Sequence, residues 1–290
     1  MSSIHPTAVV SPAAEIGQNV SVGPYCILEP HVGIGDDCQL AGHVVVKSGT
    51  VLGPANRIGE YSVLGGMAQH VKAPEESGRL VVGEGNVIRE QVTIHCALER
   101  SEATMIGGHN MIMVGAHIGH DCQIGNHTII VNNVLLAGHV EVQDRAYLSG
   151  AVAIHQFCRI GCFAMVGGMA RIRHDVPPYV TVDGESSLAV GLNLVGLRRH
   201  GFNREQVSQL KQAYRTIYRR GLPWEEICER LSSEFVHGPA SKFQEFLISS
   251  RRGLIKQRSA GAPTHLKLHT VEQDDVNGDA LEEQQPRKAG

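Results

Sequence analysis

The chain has 290 residues and carries 26 Lys and Arg against 29 Asp and Glu, a formal net charge of -3. This length allows one large domain and a small one, and the slightly acidic balance argues against a nucleic-acid-binding protein. The N-terminus lacks a basic segment followed by an apolar run, and no apolar stretch could span a bilayer. The sequence therefore predicts neither a signal peptide nor a membrane span.

An aliphatic residue returns at every sixth position from the start of the chain. The first run of these anchors is Ile4, Val10, Ile16, Val22, Leu28, Ile34, Leu40, Val46, Leu52, Ile58 and Leu64. A period of six fits neither an amphipathic helix nor an alternating strand, and it indicates a stacked array of short repeats. The residue four places after an anchor is usually small, so we expect both to point inward and share a narrow core.

Three such hexads could close one triangular turn. Each turn would then pair with the next in the manner of parallel strands, about 4.8 Å apart. Periodicity alone establishes the hexad and not the number of hexads in a turn. Four of the seven cysteines, Cys26, Cys38, Cys122 and Cys158, occupy the small inward position. They are typical of reduced core residues, which predicts a cytoplasmic protein without a zinc-type cysteine pair.

The hexad pattern lapses twice, at about 65–81 and at 96–105, and we expect a loop at each place. Loops on a rigid scaffold often carry binding groups. Gln69 and Lys72 in the first loop are therefore candidate substrate contacts, as is His95 just before the second. A solvated loop lysine is the commoner alternative for Lys72.

The hexads then continue without a miss. Their anchors are Ile106, Ile112, Ile118, Ile124, Ile130, Leu136, Val142, Leu148, Ile154, Ile160, Val166 and Ile172. Polar motifs interrupt this stretch around residues 117–122, 137–140 and 155–157. If three hexads close a turn of 18 residues, five polar side chains fall within five consecutive positions of that turn. They are His117, His120, His139, His155 and Gln156. We therefore expect them on one edge of the coil.

A histidine near neutral pH can accept a proton from a sugar hydroxyl as that oxygen attacks a carbonyl. His120 is the best candidate because it is central on the predicted edge and is followed by Asp121. Cys122 faces the core, so direct attack by the substrate is favoured over an acyl-enzyme. The alternatives are a zinc site formed by His117, His120 and His139, as in gamma-type carbonic anhydrases, and a solenoid without catalytic activity.

The repeat ends at Pro177 and Pro178, which cannot donate to a strand ladder. Residues 186–255 are predicted to be an α-helical domain over the open end of the solenoid, and Asn203 to Gln206 has the form of a capping box. Between 196 and 256 there are twelve Lys and Arg against six Asp and Glu. This excess indicates an acidic partner, with ordinary solvated helix faces as the alternative. The polar, aperiodic segment 256–290 is predicted to be disordered.

The sequence resembles the acyl carrier protein–UDP-N-acetylglucosamine O-acyltransferases, hexapeptide-repeat enzymes that begin lipid A biosynthesis. The motifs that carry the resemblance are His117-Ile-Gly-His120-Asp121-Cys122, Ala137-Gly138-His139-Val140, His155-Gln156-Phe157-Cys158, Asp175-Val-Pro-Pro-Tyr179 and Gly196-Leu-Arg-Arg199-His-Gly-Phe202. The resemblance implies a mainly β protein, a left-handed parallel β-helix of residues 1–185 followed by the helical domain. It also implies a homotrimer with sites between subunits.

The activity implied by the resemblance is transfer of an (R)-3-hydroxyacyl group from acyl carrier protein to the 3-hydroxyl of UDP-N-acetylglucosamine, without a cofactor or resident metal. His120 would be the general base, Asp121 its orienting partner and the Gly138 N–H the oxyanion donor. The sugar and acyl groups would contact Gln69, Lys72, His95, His117, His139, His155 and Gln156. Asn193 and Arg199 would meet the nucleotide phosphates, and the basic helical domain would receive the carrier protein.

The chain departs from the family pattern at three positions, where it has His70, Ser186 and Val195. These departures imply altered sugar, acyl and ribose contacts. Gly168, where some relatives carry Met, would leave room for a longer acyl chain. The nearest enzyme alternative is the sister N-acyltransferase of UDP-3-O-acylglucosamine, which usually has an additional N-terminal domain. A 3-amino sugar is a further possible acceptor.

Overall fold

The computed structural model describes residues 2–74 and 76–259. From residue 260 onwards, the predicted disordered segment lies outside the described residues. Its first residues, however, are paired: the Ala189 N–H donates to the Lys256 carbonyl, and the Arg258 N–H donates to the Ala189 carbonyl. The ordered chain therefore extends beyond the predicted boundary at 256.

Short strands stack into three sheets, which form the faces of a left-handed parallel β-helix, as predicted. Face 1 contains β1 (Ser3–Ile4), β4 (Ser21–Val22), β7 (Gln39–Leu40), β10 (Arg57–Ile58), β13 (Val87–Ile88), β16 (Met111–Ile112), β19 (Ile129–Ile130), β22 (Tyr147–Leu148), β25 (Met165–Val166), β27 (Val180–Val182) and β28 (Ala189–Leu192). Face 2 contains β2 (Val9–Val10), β5 (Ile27–Leu28), β8 (Val45–Val46), β11 (Val63–Gly66), β14 (Thr93–His95), β17 (His117–Ile118), β20 (Leu135–Leu136), β23 (Ala153–Ile154) and β26 (Arg171–Ile172). Face 3 contains β3 (Glu15–Ile16), β6 (Gly33–Ile34), β9 (Thr50–Leu52), β12 (Arg79–Val82), β15 (Ala103–Ile106), β18 (Gln123–Ile124), β21 (Glu141–Val142) and β24 (Arg159–Ile160).

The register confirms that three hexads make one turn. On face 2, His117 pairs with Leu135 and Leu135 pairs with Ala153, so partners are three hexads apart. The anchors and the small residues fill the interior: Ile118 and Cys122 are both 0% exposed. Burial of these apolar side chains inside a continuous column is the main source of stability in such a fold.

Nearly every corner of the triangular turn places a residue in the left-handed region of backbone space. Three positions after an anchor, φ is close to +60°, as in Asp121 (φ 60), His139 (φ 59) and Phe157 (φ 64). Non-glycine residues rarely adopt this conformation, and Asn, Asp and His tolerate it best. The repeated corners therefore line up the corner side chains of successive coils along each edge of the helix.

Both loops leave the helix at the edge between faces 2 and 3, which we call the site edge. The first loop comprises residues 67–78, between β11 and β12, and the second comprises 96–102, between β14 and β15. Both are shorter than predicted because the flanking strands extend further: β11 reaches Gly66, and β12 and β15 begin at Arg79 and Ala103. The same edge carries Asp121 and His139, so loops and imidazoles meet there.

Four helices follow the strands: α1 (Leu194–Arg199), α2 (Arg204–Tyr218), α3 (Trp224–Glu234) and α4 (Ser241–Ile248). The predicted capping box is present, since the Asn203 side chain accepts from the Gln206 N–H and the Gln206 side chain accepts from the Asn203 N–H. None of the helices in the described part of the chain has the length and hydropathy needed to cross a bilayer.

The segment predicted to be helical also contains a strand. β28 pairs antiparallel with β27 and so extends face 1 past the predicted boundary at 185. α4 packs against the last coils, where the Arg159 guanidinium lies 4.2 Å from the Phe246 ring centroid. Because residues up to Arg258 form one compact unit, a division into domains at 185 stays a prediction.

Candidate active site

A cavity of about 490 Å³ opens on face 2 beside the site edge. Its lining includes six residues that the sequence nominated: Gln69, His117, His120, Gly138, His155 and Gln156. The three-hexad spacing stacks residues from successive coils, and the first loop adds Gln69 from above the edge. The arrangement therefore joins polar groups from distant parts of the chain around one space.

His120 and Asp121 form a hydrogen-bonded pair at the cavity. His120 Nδ1 lies 2.6 Å from Asp121 Oδ2, and the side chains are 11% and 12% exposed. Because a carboxylate only accepts, Nδ1 is assigned the proton, which leaves the Nε2 lone pair free. Such a pair holds the imidazole in the tautomer and orientation that a general base requires.

The second loop and the following strand hold Asp121 in place. The Leu98 N–H lies 3.3 Å and 3.2 Å from the two carboxylate oxygens of Asp121. The Asp121 N–H donates to the buried hydroxyl of Thr104 at 2.8 Å. These contacts fix both the backbone and the carboxylate of a corner residue, so the loop supports the pair without contacting the cavity itself.

Gly138 lies directly against the imidazole of His120. A Cβ atom at residue 138 would be 2.5 Å from His120 Cε1 and 2.6 Å from Nε2, closer than real Cβ contacts. Only glycine therefore permits the observed position of the ring. In the described part of the chain the Gly138 N–H donates to no acceptor, which leaves a backbone donor beside the catalytic candidate.

Further rings surround His120. His139 crosses it with a centroid distance of 5.2 Å and itself stacks on Phe157 at 4.5 Å. His70 from the first loop approaches its other side at 5.8 Å. Burial lowers the pKa of His139, although the Asp121 carboxylate opposes this effect. A neutral His139 can both donate and accept hydrogen bonds, as a sugar contact requires.

His95 and His117 form a second histidine pair beside the cavity. Their ring centroids are 5.0 Å apart, and His117 Nδ1 lies 2.8 Å from the Thr93 hydroxyl. Burial lowers the pKa of both imidazoles, and for His117 the neighbouring His95 adds to the effect. Both rings are thus held in the neutral form, which suits hydrogen bonding to a polar substrate rather than pairing with an anion.

One group of side chains has the spacing of a cation site. The nearest ligand atoms of His120, Asp121 and His139 lie within 4.8 Å of one another. This group differs from the zinc set considered from the sequence, because His117 is bonded to Thr93 and Asp121 takes its place. Two imidazoles and a carboxylate are a chemically reasonable zinc set, and the same three groups make a hydrogen-bonded network without one.

Several predicted residues lie away from this cavity. Gly168 lies at the edge between faces 1 and 2, where a Cβ would be 3.3 Å from the Gly150 carbonyl oxygen. Asn193 caps α1 and donates to the Phe163 carbonyl at 3.0 Å, near the edge between faces 3 and 1. Arg199 is exposed at the end of the same helix. Lys72 is exposed in the first loop, outside the cavity lining.

Arg171 and Arg173 line the far end of the cavity, and sequence reasoning missed them. The signal was available, because Arg171 lies three hexads after Ala153 and Arg173 lies three hexads after His155. Extending the same spacing by one more coil would have placed both on the predicted edge. Leu98 and Thr104 carried no comparable signal, since the length of the second loop determines what they contact.

Comparison with known proteins gives a consistent result. The family model described as UDP-N-acetylglucosamine O-acyltransferase, domain 2, matches residues 175–255, and the bacterial transferase hexapeptide model matches 103–138. The acyl-(acyl-carrier-protein)–UDP-N-acetylglucosamine O-acyltransferase of Halorhodospira halophila is 44% identical over 88% of this chain and 100% of its own. The enzyme of the same name from Stutzerimonas stutzeri is 45% identical over the same shares.

Solved structures agree with these relatives. The UDP-N-acetylglucosamine acyltransferase of Francisella novicida superposes with a TM-score of 0.85 at 36% identity, covering 88% of this chain and 94% of its own. The Acinetobacter baumannii protein of the same kind gives a TM-score of 0.84 at 38% identity, covering 87% and 99%. The likeness therefore extends through the coils and the helices that follow them.

Proposed function

The chain belongs to the acyl-(acyl-carrier-protein)–UDP-N-acetylglucosamine O-acyltransferase family, and from this we propose that His120 is the general base of that acyl transfer. The donor would be an (R)-3-hydroxyacyl group on acyl carrier protein, and the acceptor would be the 3-hydroxyl of UDP-N-acetylglucosamine, in the first step of lipid A biosynthesis. The observation that carries the proposal is the 2.6 Å contact between His120 and Asp121 at the cavity, with Gly138 against the ring.

The proposed reaction is a direct transfer. His120 Nε2 accepts the proton of the sugar 3-hydroxyl as its oxygen attacks the thioester carbon. The Gly138 N–H donates to the oxygen on which negative charge develops, and Asp121 stabilises the imidazolium. The carbon–sulfur bond then breaks, and the proton moves from His120 to the departing thiolate. Cys122 is completely buried, and burial raises its thiol pKa to about 12, so it offers no competing nucleophile.

The complete site requires more than one chain in this proposal. The cavity, Gly168 and Asn193 with Arg199 lie at or near three different edges of the triangular helix. A homotrimer that packs three such prisms side by side would bring different edges together. We therefore propose that each site takes its catalytic pair from one subunit and its nucleotide contacts from a neighbour, as the family resemblance implies.

The helices after face 1 would dock the carrier protein. Arg219 and Arg220 at the end of α2 are exposed, and the segment has twice as many basic as acidic residues. An acidic carrier protein would be attracted to this surface, more strongly at low ionic strength. The cytoplasmic location stays a prediction from the sequence.

The experiment that tests this function replaces His120 with Ala. Transfer of the acyl group to UDP-N-acetylglucosamine should fall by about 10²-fold or more, the usual contribution of a positioned base. Thermal unfolding should stay close to that of the parent protein, because the side chain lies at a cavity. Gln39→Ala, an exposed position on face 1 far from the cavity, provides the control. Unchanged turnover in His120→Ala would remove His120 from the mechanism.

The spacing of His120, Asp121 and His139 supports a second candidate, a metal-dependent hydration or hydrolysis. Metal content and acyl transfer should therefore be measured on the same sample. Stoichiometric zinc together with loss of activity on chelation would favour the metal enzyme. Full acyl transfer by metal-free protein would favour the general-base mechanism.

A further inference from the structure

The site edge carries a second cavity, on the N-terminal side of the two loops. Its volume is about 680 Å³, compared with about 490 Å³ for the cavity at the catalytic pair. Its walls come from the corners of two early coils, at His31 and Gly49, from the end of the first loop and from the second loop. None of the described residues that line it takes part in the proposed acyl transfer, so the fold provides a second polar space without an assigned role.

The carboxylates of this second cavity already have cationic partners. Glu29 accepts hydrogen bonds from Lys47 Nζ at 2.6 Å and from the Ser48 N–H at 3.1 Å. The hydrogen bond from Lys47 lowers the pKa of Glu29. Glu76 in the first loop pairs with Arg100 in the second. Both carboxylates are therefore engaged, and the cavity does not favour a cationic ligand.

Hydrogen-bond donors, by contrast, are left over. Within the part of the chain that the structure describes, Arg79 forms neither an ion pair nor a side-chain hydrogen bond. Its stem lies over the cavity wall, because a Cβ atom at Gly49 would be 3.9 Å from Arg79 Cγ. Ser77 also lines the cavity, and its hydroxyl oxygen is buried without a hydrogen-bond partner among the described residues. A free guanidinium beside a free hydroxyl is suited to binding an oxyanion.

The second loop connects this cavity to the catalytic pair. Cys96 and Arg100 of that loop line the cavity. Between them in the chain, the Leu98 N–H lies 3.3 Å and 3.2 Å from the carboxylate oxygens of Asp121. The side chains of the ion pair that joins Arg100 to the first loop are 80% and 68% exposed, and such exposed pairs contribute little free energy. A ligand on Arg79 could therefore recruit Arg100 and restrain the loop that orients Asp121.

We propose that this second cavity is an effector site for a small phosphorylated ligand. The phosphate oxygens accept hydrogen bonds from the Arg79 guanidinium and the Ser77 hydroxyl, and the remaining space holds the group attached to the phosphate. Occupancy is coupled to the catalytic pair through the second loop. The coupling is reciprocal, because a ligand that strengthens the binding of UDP-N-acetylglucosamine must itself bind more tightly in its presence by the same factor. The coupling, unlike the binding itself, rests on the proposed function.

Thermal unfolding with two probes, inorganic phosphate and glucose 6-phosphate, tests the binding. Sodium chloride at matched ionic strength is the reference. At least one probe should raise the thermal midpoint above this reference, increasingly with concentration. A response to both probes assigns the site to phosphate itself, and a response to glucose 6-phosphate alone assigns it to a sugar phosphate.

Substitutions locate the response. Arg79→Gln should weaken the affinity for the effective probe about 10- to 100-fold, as expected for lost charge-assisted hydrogen bonds, and Ser77→Ala should weaken it less. Arg57→Gln, at an exposed arginine of face 1, is the matched control and should respond as the parent does. Arg199→Ala should also respond as the parent does, which separates this site from the proposed nucleotide contact.

Equilibrium binding of UDP-N-acetylglucosamine measures the coupling. With the effective probe at saturation, its Kd should fall about 5-fold, the lower end of usual coupling between sites. The reason is that a restrained second loop holds the catalytic pair in the orientation that the sugar hydroxyl requires. Arg79→Gln should show the parental Kd without the probe and no change with it.

Three outcomes would overturn the proposal. A probe effect no larger than that of sodium chloride, or a parental response in Arg79→Gln, would remove the site. An unchanged Kd for the nucleotide sugar with the cavity occupied would remove the effector role. Failure of the proposed function itself would look different, because UDP-N-acetylglucosamine would then not bind the parent protein, while the thermal shift that depends on Arg79 would remain.

Discussion

The contact between Gly138 and the His120 ring makes one backbone position decisive for the site. No positive φ is recorded at Gly138, so alanine fits the backbone there, but its Cβ would displace the imidazole. Gly42 occupies the same place in its hexad, and a Cβ there would meet Pro24 at 3.4 Å, an ordinary contact. Alanine substitutions at the two glycines therefore distinguish two effects of an added methyl group. At Gly42 it can affect only the fold, whereas at Gly138 it also displaces the His120 ring.

We expect Gly138→Ala to reduce kcat by about 10²-fold or more, because the displaced base no longer meets the hydroxyl. Its thermal midpoint should stay near that of the parent. Steady-state kinetics and thermal unfolding on the same preparations would measure both quantities. Gly42→Ala should leave kcat unchanged, and a Gly138→Ala enzyme of parental activity would contradict the geometry.

At the scale of single residues, the sequence predicted which polar side chains lie close together better than it predicted the contacts that hold them. His120 and Asp121 are adjacent in sequence, so their pairing followed from the motif. The support that Asp121 receives from Leu98 and Thr104 could not be predicted, because it depends on the path of an irregular loop. Asn193 was expected at the nucleotide, yet its side chain caps α1 within one chain. Its role, like those of Gly168 and Arg199, stays a prediction.

At the scale of the elements, the buried carboxylate of Asp175 holds the proline segment after the last coil in place through hydrogen bonds. Asp175 is 0% exposed, and it accepts hydrogen bonds from the Arg159 N–H at 2.9 Å and from the Ser250 hydroxyl at 2.8 Å. Burial raises the pKa of Asp175, and these hydrogen bonds only partly oppose the shift. The group thereby connects the coils, the proline segment and the residues after α4.

This shift gives stability a defined pH dependence. A carboxyl group whose pKa is raised on folding contributes stability that is fully present below its unfolded pKa, about 3.9, and is lost as the pH rises through the folded value. Relative to Asp175→Asn, the free energy of unfolding of the parent should therefore decrease as the pH rises from below about 4 towards neutrality. Urea unfolding of both proteins across this range would measure the difference.

Asp183 supplies a control of opposite sign. Its carboxylate accepts from the Ser186 N–H and hydroxyl, and these hydrogen bonds lower its pKa. Stability contributed by such a group is present above the unfolded pKa and is lost as the pH falls through the folded value. Asp183→Asn should thus be less stable than the parent, and the difference in free energy of unfolding should be largest near neutral pH. If the free energies of unfolding of the parent and Asp175→Asn changed with pH in parallel, protonation of Asp175 would not be coupled to folding.

The helices after the last coil were predictable from local sequence signals, whereas the strand that precedes them was not. The capping box at Asn203 gave the start of α2, whereas β28 was missed because Ala189–Leu192 has no hexad anchor and pairs antiparallel with β27. A strand that depends on its partner for pairing carries little signal of its own. The hexad strands were predictable because each repeats the same burial pattern.

At the scale of the whole molecule, the predicted site residues lie at three different edges of the helix. This separation allows a test of whether each site is shared between neighbouring subunits. His120→Ala and Arg199→Ala should each be inactive alone. Co-expressed, they should form mixed trimers in which random assortment around a closed ring restores roughly one quarter of the sites. The specific activity of the co-expressed protein, compared with that of each variant, would measure this.

The control for assembly uses two positions on the same edge. His120→Ala and Asp121→Ala should not complement each other, because every site would lack one member of the pair. Recovery in this control, or no recovery with Arg199→Ala, would contradict a site shared between neighbouring subunits.

The corner residues described above also bear on how such a molecule can change. The residues with positive φ at the corners include Asn, Asp, His, Tyr, Phe, Arg, Gln, Met, Ser and Ala, and within the described residues none of them is Val, Ile or Thr. β-branched side chains fit that backbone conformation poorly. The coils above and below fix the main chain at each corner, while the side chain projects outwards. Substitutions at the corner residues of one edge, such as Asp121, His139 and Phe157, can therefore alter the chemistry of that edge while the path of the polypeptide stays the same.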